Sequence, residues 1–449
     1  MGRRVPAPRI LVGVMERGGG DGSEDAGAAR KGARRAVRAF AHRDFRLYIS
    51  GQMVSLVGTW MQSVAQGWLV WRLTHSTAML GVVGFCQMGP MLAFGLIGGL
   101  AADRFDRRRI VIATQSVMLV QATLLAALTL GGVVRPWHVL VLATLLGVAN
   151  AFDMPGRQSF IVHLVGRDDL PNAIAINSSV FNSARIVGPA VAGLVVARWG
   201  EGVCFAVNAV SYVAVIAGLL ALRVRPAPRA AGPWGALREL REGFAYAWNA
   251  RHARWLLVLL AAAGFFGMSY SAFMPAFAGE VLGGGPHELG MLLTATGLGA
   301  LVAASFLAGH SELPFLARLA PYCVPFFGAM LIVFAAVRSL AAALFASALV
   351  AVGMITQLFL TNTLLQSLVP DRLRGRVVSI YSVTFGGFAP LGSLVLGQVA
   401  HVLPLQTVVA AGGAAAAAIG LVLARPLSDA VRAAVEARVP GRAAEPEVR

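Results

Sequence analysis

Charge is scarce in this chain of 449 residues: Asp, Glu, Lys and Arg make up 13% of it, against 57% hydrophobic residues. That balance, with runs of about 20 apolar positions, excludes an ordinary soluble domain and points to a polytopic membrane protein. Cysteine is equally sparse. Cys86, Cys204 and Cys323 stand singly within apolar runs, without the paired spacing of a disulfide framework, metal site or redox motif, and read as small packing residues. The histidines are scattered too, so no metal and no cofactor are expected. A phosphate-binding glycine loop and a nucleophile beside a base are also missing, which speaks against an enzyme and against ATP-driven transport. Acidic residues are nearly absent from the apolar interiors, Asp153 being the exception.

The charge that is present is lopsided, with a formal net value of +17. The apolar runs predict twelve spans, near 46–71, 78–102, 109–131, 137–160, 173–197, 203–222, 255–278, 288–309, 319–337, 340–366, 377–400 and 405–424. With both termini cytoplasmic, inside loops hold Arg104, Arg107, Arg108, Arg109, Arg167, Arg223, Arg225, Arg229, Arg238, Arg241, Arg251, Arg254, Arg318, Arg372, Arg374 and Arg376. Outside loops keep only Arg72, Arg135, Arg198 and Arg338. This asymmetry sets the orientation, and it makes the net charge a topology signal and an attraction to anionic lipid rather than a nucleic-acid footprint. The stretch Ile10 to Met15 is too short for the apolar core of a signal peptide, and Met15 offers an alternative start.

The chain repeats itself. QSFIVHLV (Gln158 to Val165) aligns with NTLLQSLV (Asn362 to Val369), each ahead of a charged turn, and His42 to Leu47 is similar to Arg251 to Leu256. Residues 1–44 then form a disordered basic tail, 45–222 a first six-helix bundle, 223–250 a cytoplasmic linker with helical character over Trp234 to Tyr246, 251–425 a second six-helix bundle, and 426–449 a second tail. The expected architecture is all-α, two six-helix pseudo-repeats with substrate bound between them near the midplane.

Between the second and third runs lies GLAADRFDRRR, Gly99 to Arg109. It resembles the loop between helices 2 and 3 of the major facilitator superfamily, G-x-x-x-D-R-x-G-R-R-x, matched by Gly99, Asp103, Arg104, Arg107 and Arg108, with Asp106 in place of the second glycine. Phe45 to Val70, NAFDMPGRQSF (Asn150 to Phe160) and NSARIVGPAVAG (Asn182 to Gly193) resemble, more narrowly, the bacterial exporter family that includes the enterobactin siderophore exporters. Gly188, Pro189 and Gly193 resemble the glycine–proline motif of helix 5 in antiporters, with Ala184 replacing its first glycine. The resemblance implies an exporter of the bacterial cytoplasmic membrane that works by alternating access, exchanges a small organic cargo for protons and acts as a monomer. It also implies that the loop is a gate, its arginines meeting the acid of helix 4 and Asp103 meeting the first turn of helix 11 near Arg376 to Ser379. An importer of the same fold, or a non-transporting receptor or scaffold, remains open.

Several polar residues are candidates for the cargo site. Gln52, Ser55, Thr59, Gln62, Ser63 and Gln66 recur at spacings of three and four along the first span, one face that suits either a cavity wall or interhelical hydrogen bonding. Asn150, Asp153 and Arg157 share a face of the fourth span, where Asp153 needs a cation and Arg107 or Arg108 is a candidate. Arg185 lies roughly 20 Å into the fifth span at 1.5 Å per residue, a depth that calls for a cavity, a carboxylate or backbone carbonyls; Asn182 is one turn before it. Asp153 and Arg185 are the coupling candidates. In the second half the candidates are Tyr270 and Ser271, then Gln357, Thr361 and Asn362, with Pro275 expected to kink the seventh span.

Overall fold

Glycine, proline and charged turns cut the apolar sequence into rods. The computed structural model describes residues 38–166, 168–222 and 236–437, and every regular element among them is helical. A helix satisfies its own backbone polar groups, which is what a segment in hydrocarbon requires. The first six are α1 (Arg43–Thr74), α2 (Thr77–Arg104), α3 (Arg107–Leu130), α4 (Pro136–Val165), α5 (Leu170–Trp199) and α6 (Glu201–Ala221). A shorter α7 (Ala236–Asn249) falls on the stretch of linker expected to be helical. Then come α8 (Arg251–Ala262) with its continuation, α9 (Pro286–Gly309), α10 (Leu313–Ala336), α11 (Leu340–Leu368), α12 (Asp371–Val402) and α13 (Leu405–Glu436).

Eleven of these are long and apolar enough to cross a membrane. The twelfth span is α1, 32 residues long, whose glutamines and hydroxyls lower its hydropathy while it packs along α5 and α6 in the same bundle. The seventh span continues beyond α8 through two π-helical turns, Ala263–Met268 and Phe277–Val281, with a break at Phe273 two residues before Pro275. Proline cannot donate to the preceding turn, and the π turns absorb the mismatch.

The connections are tight. His75 takes a left-handed φ of 45° after α1, and Gly200 a φ of 82° between α5 and α6. At the charged turn, Asp106 sits at φ −63° and its carboxylate accepts from the Arg108 N–H at 2.9 Å, capping α3. The backbone there does not need the glycine of the superfamily pattern, and the aspartate supplies a cap that glycine would lack.

Two expectations about the ends change. Arg38–Ala41, assigned from sequence to the basic tail, form a 3-10 turn whose Ala39 N–H donates to Asn172 Oδ1 at 2.8 Å. Arg38 and His42 both hold the Asp169 carboxylate, at 2.9 and 2.8 Å. At the other end α13 runs on through Pro426 to Glu436, inside the expected tail 426–449. Residues 1–37, Arg167, 223–235 and 438–449, and the side chains of Asp103 and Arg238, lie outside the described residues.

The two halves use the same pairings. In the first, α2 packs on α4, α3 on α6 and α1 on α5; in the second, α9 packs on α11, α10 on α13 and the seventh span on α12. The halves meet along two seams, α2 with α12 and α5 with α9, which are counterparts of each other under the repeat, since α2 corresponds to α9 and α5 to α12.

Candidate functional site

The polar face of α1 does not turn to a single neighbour. Near one end it joins a buried knot with α3 and α4. Asp153, 4% exposed, pairs with Arg157 one turn on along α4, and its Oδ1 accepts from Thr114 Oγ1 at 2.7 Å and Gln115 Nε2 at 3.0 Å. Arg157 also donates to Gln52 Oε1, and Gln52 Nε2 in turn donates to the Tyr48 hydroxyl at 3.0 Å. The cation that Asp153 requires is therefore Arg157, not a loop arginine. Arg108 instead donates to the carbonyls of Leu219 and Leu220 at 2.9 and 2.8 Å, at the C-terminal end of α6 where the helix dipole favours a cation. Arg107 reaches back to the Ala102 carbonyl at 3.3 Å. The two arginines thus fasten the ends of α2 and α6.

Two turns further along α1, Gln62 donates to Gln121 Oε1 of α3 at 2.9 Å and accepts from Asn208 Nδ2 of α6 at 2.7 Å. Thr59 donates to the Ser55 carbonyl at 2.8 Å. Gln66 is fully buried, and neither of its amide atoms has a hydrogen-bond partner.

Between the halves lies a cavity of about 430 Å³, within the usual range for a drug-sized ligand. Of the sequence candidates, Thr59, Gln62, Ser63, Gln66, Asn150, Arg185, Tyr270 and Ser271 line it, together with Pro189. Gln52 and Ser55 are buried away from it, and Asn182, Gln357, Thr361 and Asn362 are not in its wall. Asn182 donates to the Ser178 carbonyl at 2.9 Å, Gln357 to Thr361 at 2.9 Å, and Gln366 to Asn362 at 2.8 Å. Sequence reasoning missed Trp60, Gln87, Tyr212, Thr296, Met88, Met268 and Met354, which complete the wall. Gln87 left a signal, as an amide inside an apolar run three residues before Pro90; the methionines left none, since a methionine in a span is ordinarily packing.

The cavity is closed at the end carrying the turn 74–77. A methyl group on Gly397 would stand 2.9 Å from the Thr77 carbonyl oxygen and 3.0 Å from Gly81 Cα, and Thr77 Oγ1 donates to the Gly397 carbonyl at 3.4 Å. On the other seam a methyl on Gly290 would lie 2.7 Å from Gly193 Cα and 2.7 Å from the Pro189 carbonyl oxygen. Only glycine permits backbones this close. Gly188 meets Val57 and Trp60 of α1 in the same way, so the helix 5 motif seats α5 on both α1 and α9. Toward the charged turn the last such glycine contact of the α2–α12 seam is Gly387 with Leu92, and methyls on Gly99 and Gly375, nearer that turn, would meet nothing within 4 Å.

Two pseudo-repeated halves around a shared cavity, joined at one end by close glycine seams, define a transporter of the major facilitator class. The sequence matches the family described as transmembrane secretion effector over residues 35–448, and the chain belongs to that family. It is 26% identical over 362 residues to the staphyloferrin A transporter of Staphylococcus aureus, covering 80% of this chain and 89% of that protein. It is 28% identical over 375 residues to the multidrug efflux pump Tap of Mycolicibacterium fortuitum, covering 80% and 90%. Among solved structures, a bacterial homologue of the human lysosomal transporter Spinster, inward-facing and unoccupied, superposes with a TM-score of 0.66 at 17% identity, covering 89% of this chain and 98% of that one. A POT-family transporter in complex with 5-aminolevulinic acid gives 0.69 at 11% identity, covering 87% and 97%. These structural likenesses show the fold.

Proposed function

We propose that the protein exports a small organic molecule, a siderophore-like metabolite or an amphiphilic drug, across the cytoplasmic membrane in exchange for protons. The observation that carries this reading is the cavity itself, walled by both halves, with backbone-close glycine seams between them at one end, as alternating access requires of a closed face. The likeness to a staphyloferrin A transporter supports a small organic cargo, and the likeness to a multidrug efflux pump supports export over import. With the arginine asymmetry fixing both termini in the cytoplasm, the end opposite these seams faces inward, to accept cargo from the cell. A receptor or scaffold has no use for glycine seams that can open. The site is complete within one chain, in keeping with a monomer.

The charged turn is the gate of this reading. Arg107 and Arg108 hold the inner ends of α2 and α6, so that α2 moves with the rest of its half, and Asp103 meets the N-terminal end of α12 when the inner mouth closes. Coupling runs through α1: Asp153 takes the proton, its bond to Arg157 changes, and Gln52, held by Arg157, passes the change along the helix whose Gln62 and Gln66 line the cavity. Inverted vesicles carrying the protein should extrude added drug or siderophore from the medium into their lumen when the lumen is acidified. Asp103→Asn should slow turnover more than it weakens cargo binding, and Asp153→Asn should abolish the dependence on the pH gradient. Uptake that is unaffected by collapsing the gradient removes proton exchange from the reading; no movement of any tested cargo removes export.

A further inference from the structure

We propose that the cargo is an amphiphilic anion, with a carboxylate or comparable acidic group bound by the Arg185 guanidinium. This deepens the export reading and rests on it. Arg185 projects from α5 into the cavity wall, and among the described residues no carboxylate and no backbone carbonyl pairs with it. The acids are engaged elsewhere: Asp153 with Arg157, Glu201 with Arg72 at 2.8 Å, Asp169 with Arg38 and His42. Among the described residues no aspartate or glutamate lines the cavity, which therefore presents one uncompensated positive charge inside the membrane.

A guanidinium at that depth persists only with a partner or with water around it, and a cargo anion is the partner this cavity leaves room for. Two further groups converge on the same space without partners of their own. The Gln66 amide, fully buried, has neither its donor nor its acceptor satisfied, and the Tyr270 hydroxyl, 4% exposed, has only the Thr296 side chain beside it, outside good bonding geometry. Guanidinium, amide N–H and phenol O–H are together suited to an acceptor-only anion, since an ionised carboxylate takes bonds from all three. The remaining wall is apolar and adaptable, with Trp60, Met88, Met268 and Met354, so the body attached to the acid is hydrophobic or aromatic. A cationic amphiphile would meet the Arg185 charge with no carboxylate to offset it.

The test uses three probes with one skeleton, 1-naphthoate, 1-naphthamide and 1-naphthylmethylammonium, and the full-length protein in lipid nanodiscs, with binding read by calorimetry. Naphthoate should bind tightest. Arg185→Gln should weaken naphthoate by about ten- to a hundredfold, the usual worth of a charge-assisted bond, while leaving naphthamide unchanged, and Arg185→Lys should keep part of the preference. Naphthoate binding no tighter than naphthamide, or a naphthoate affinity that Arg185→Gln leaves unchanged, overturns the proposal. Extrusion of ethidium by inverted vesicles is measured in parallel. Ethidium transport without a preference for naphthoate sinks the anionic cargo and leaves export standing; a naphthoate site dependent on Arg185 in a protein that moves neither compound sinks export and leaves the anion site.

Discussion

Asp153 and Arg157 carry opposite charges buried in the first bundle, and each is there because of the other. Removing one partner of a buried pair costs about 3–5 kcal/mol because the survivor is left uncompensated. Asp153→Leu should therefore lower the melting temperature in detergent far more than Asp153→Leu combined with Arg157→Met, in which no charge is stranded. A double variant as unstable as the single one would show that Thr114, Gln115 and Gln52, rather than the ion pair, hold the knot together. The spacing of Asn150, Asp153 and Arg157 makes their common face legible in the sequence, whereas the superfamily resemblance points to a loop arginine as the partner. The i, i+4 neighbour prevails because the shortest path for a helical carboxylate is along its own helix. The stripe on α1 was likewise visible, but periodicity gives a face and not its neighbours. Gln52 is bound to Arg157 of α4 and Ser55 is buried away from the cavity, while Thr59, Gln62 and Gln66 reach it, Gln62 also bonding to α3 and α6.

At the level of elements, helix identity was almost wholly legible, because an apolar run of sufficient length in lipid has no alternative to a helix. Boundaries were less so: α1 and α13 extend past the expected spans, since a helix that leaves the hydrocarbon continues while its sequence favours it. The glycine–proline motif of α5 was legible as a close-packing signal, but its partners, Trp60 of α1 and Gly290 of α9, emerge only in three dimensions. That contact makes a test. A side chain at Gly290 would press on backbone atoms of α5, which cannot swing aside as a flexible side chain can, so Gly290→Val should wedge the α5–α9 seam apart. The variant is expected to insert normally and lose most of its transport. A cysteine placed at Thr296 in the cavity wall should become more reactive to a membrane-impermeant thiol reagent applied from the side of the turn 74–77. Unchanged reactivity would mean that the seam is static packing. Orientation has its own check, on exposed positions: Arg109→Cys, whose native side chain is 88% exposed, should resist an impermeant reagent in intact cells, and Arg135→Cys should react. The reverse pattern would invert the topology.

For the whole molecule, the decisive relation is the exchange of partners between halves: α2 belongs to the first half yet seats on α12, and α5 seats on α9. In the proposed cycle the halves, each held together by the same set of pairings, move as rigid units, and the seams are the surfaces along which they rock. Contact at the closed end and separation at the other are then two aspects of one rotation, and a link across the closed end should stop the cycle however far it lies from the cargo. Thr77 and His401 are the positions to join: Thr77 Oγ1 already donates to the Gly397 carbonyl at 3.4 Å, and the exposed His401 lies one turn beyond Gly397 along α12, where a side chain is already accommodated. The native Cys86, Cys204 and Cys323 are free thiols and would first be replaced by alanine. In that background, Thr77→Cys with His401→Cys, bridged by a short reducible cross-linker, should abolish transport and leave cargo binding from the opposite end intact. Reductant should restore transport. A bridged protein that still moves cargo at the rate of the unbridged one would show that the α2–α12 seam does not open during the cycle, and that the path to the far side must run along α5 and α9 alone.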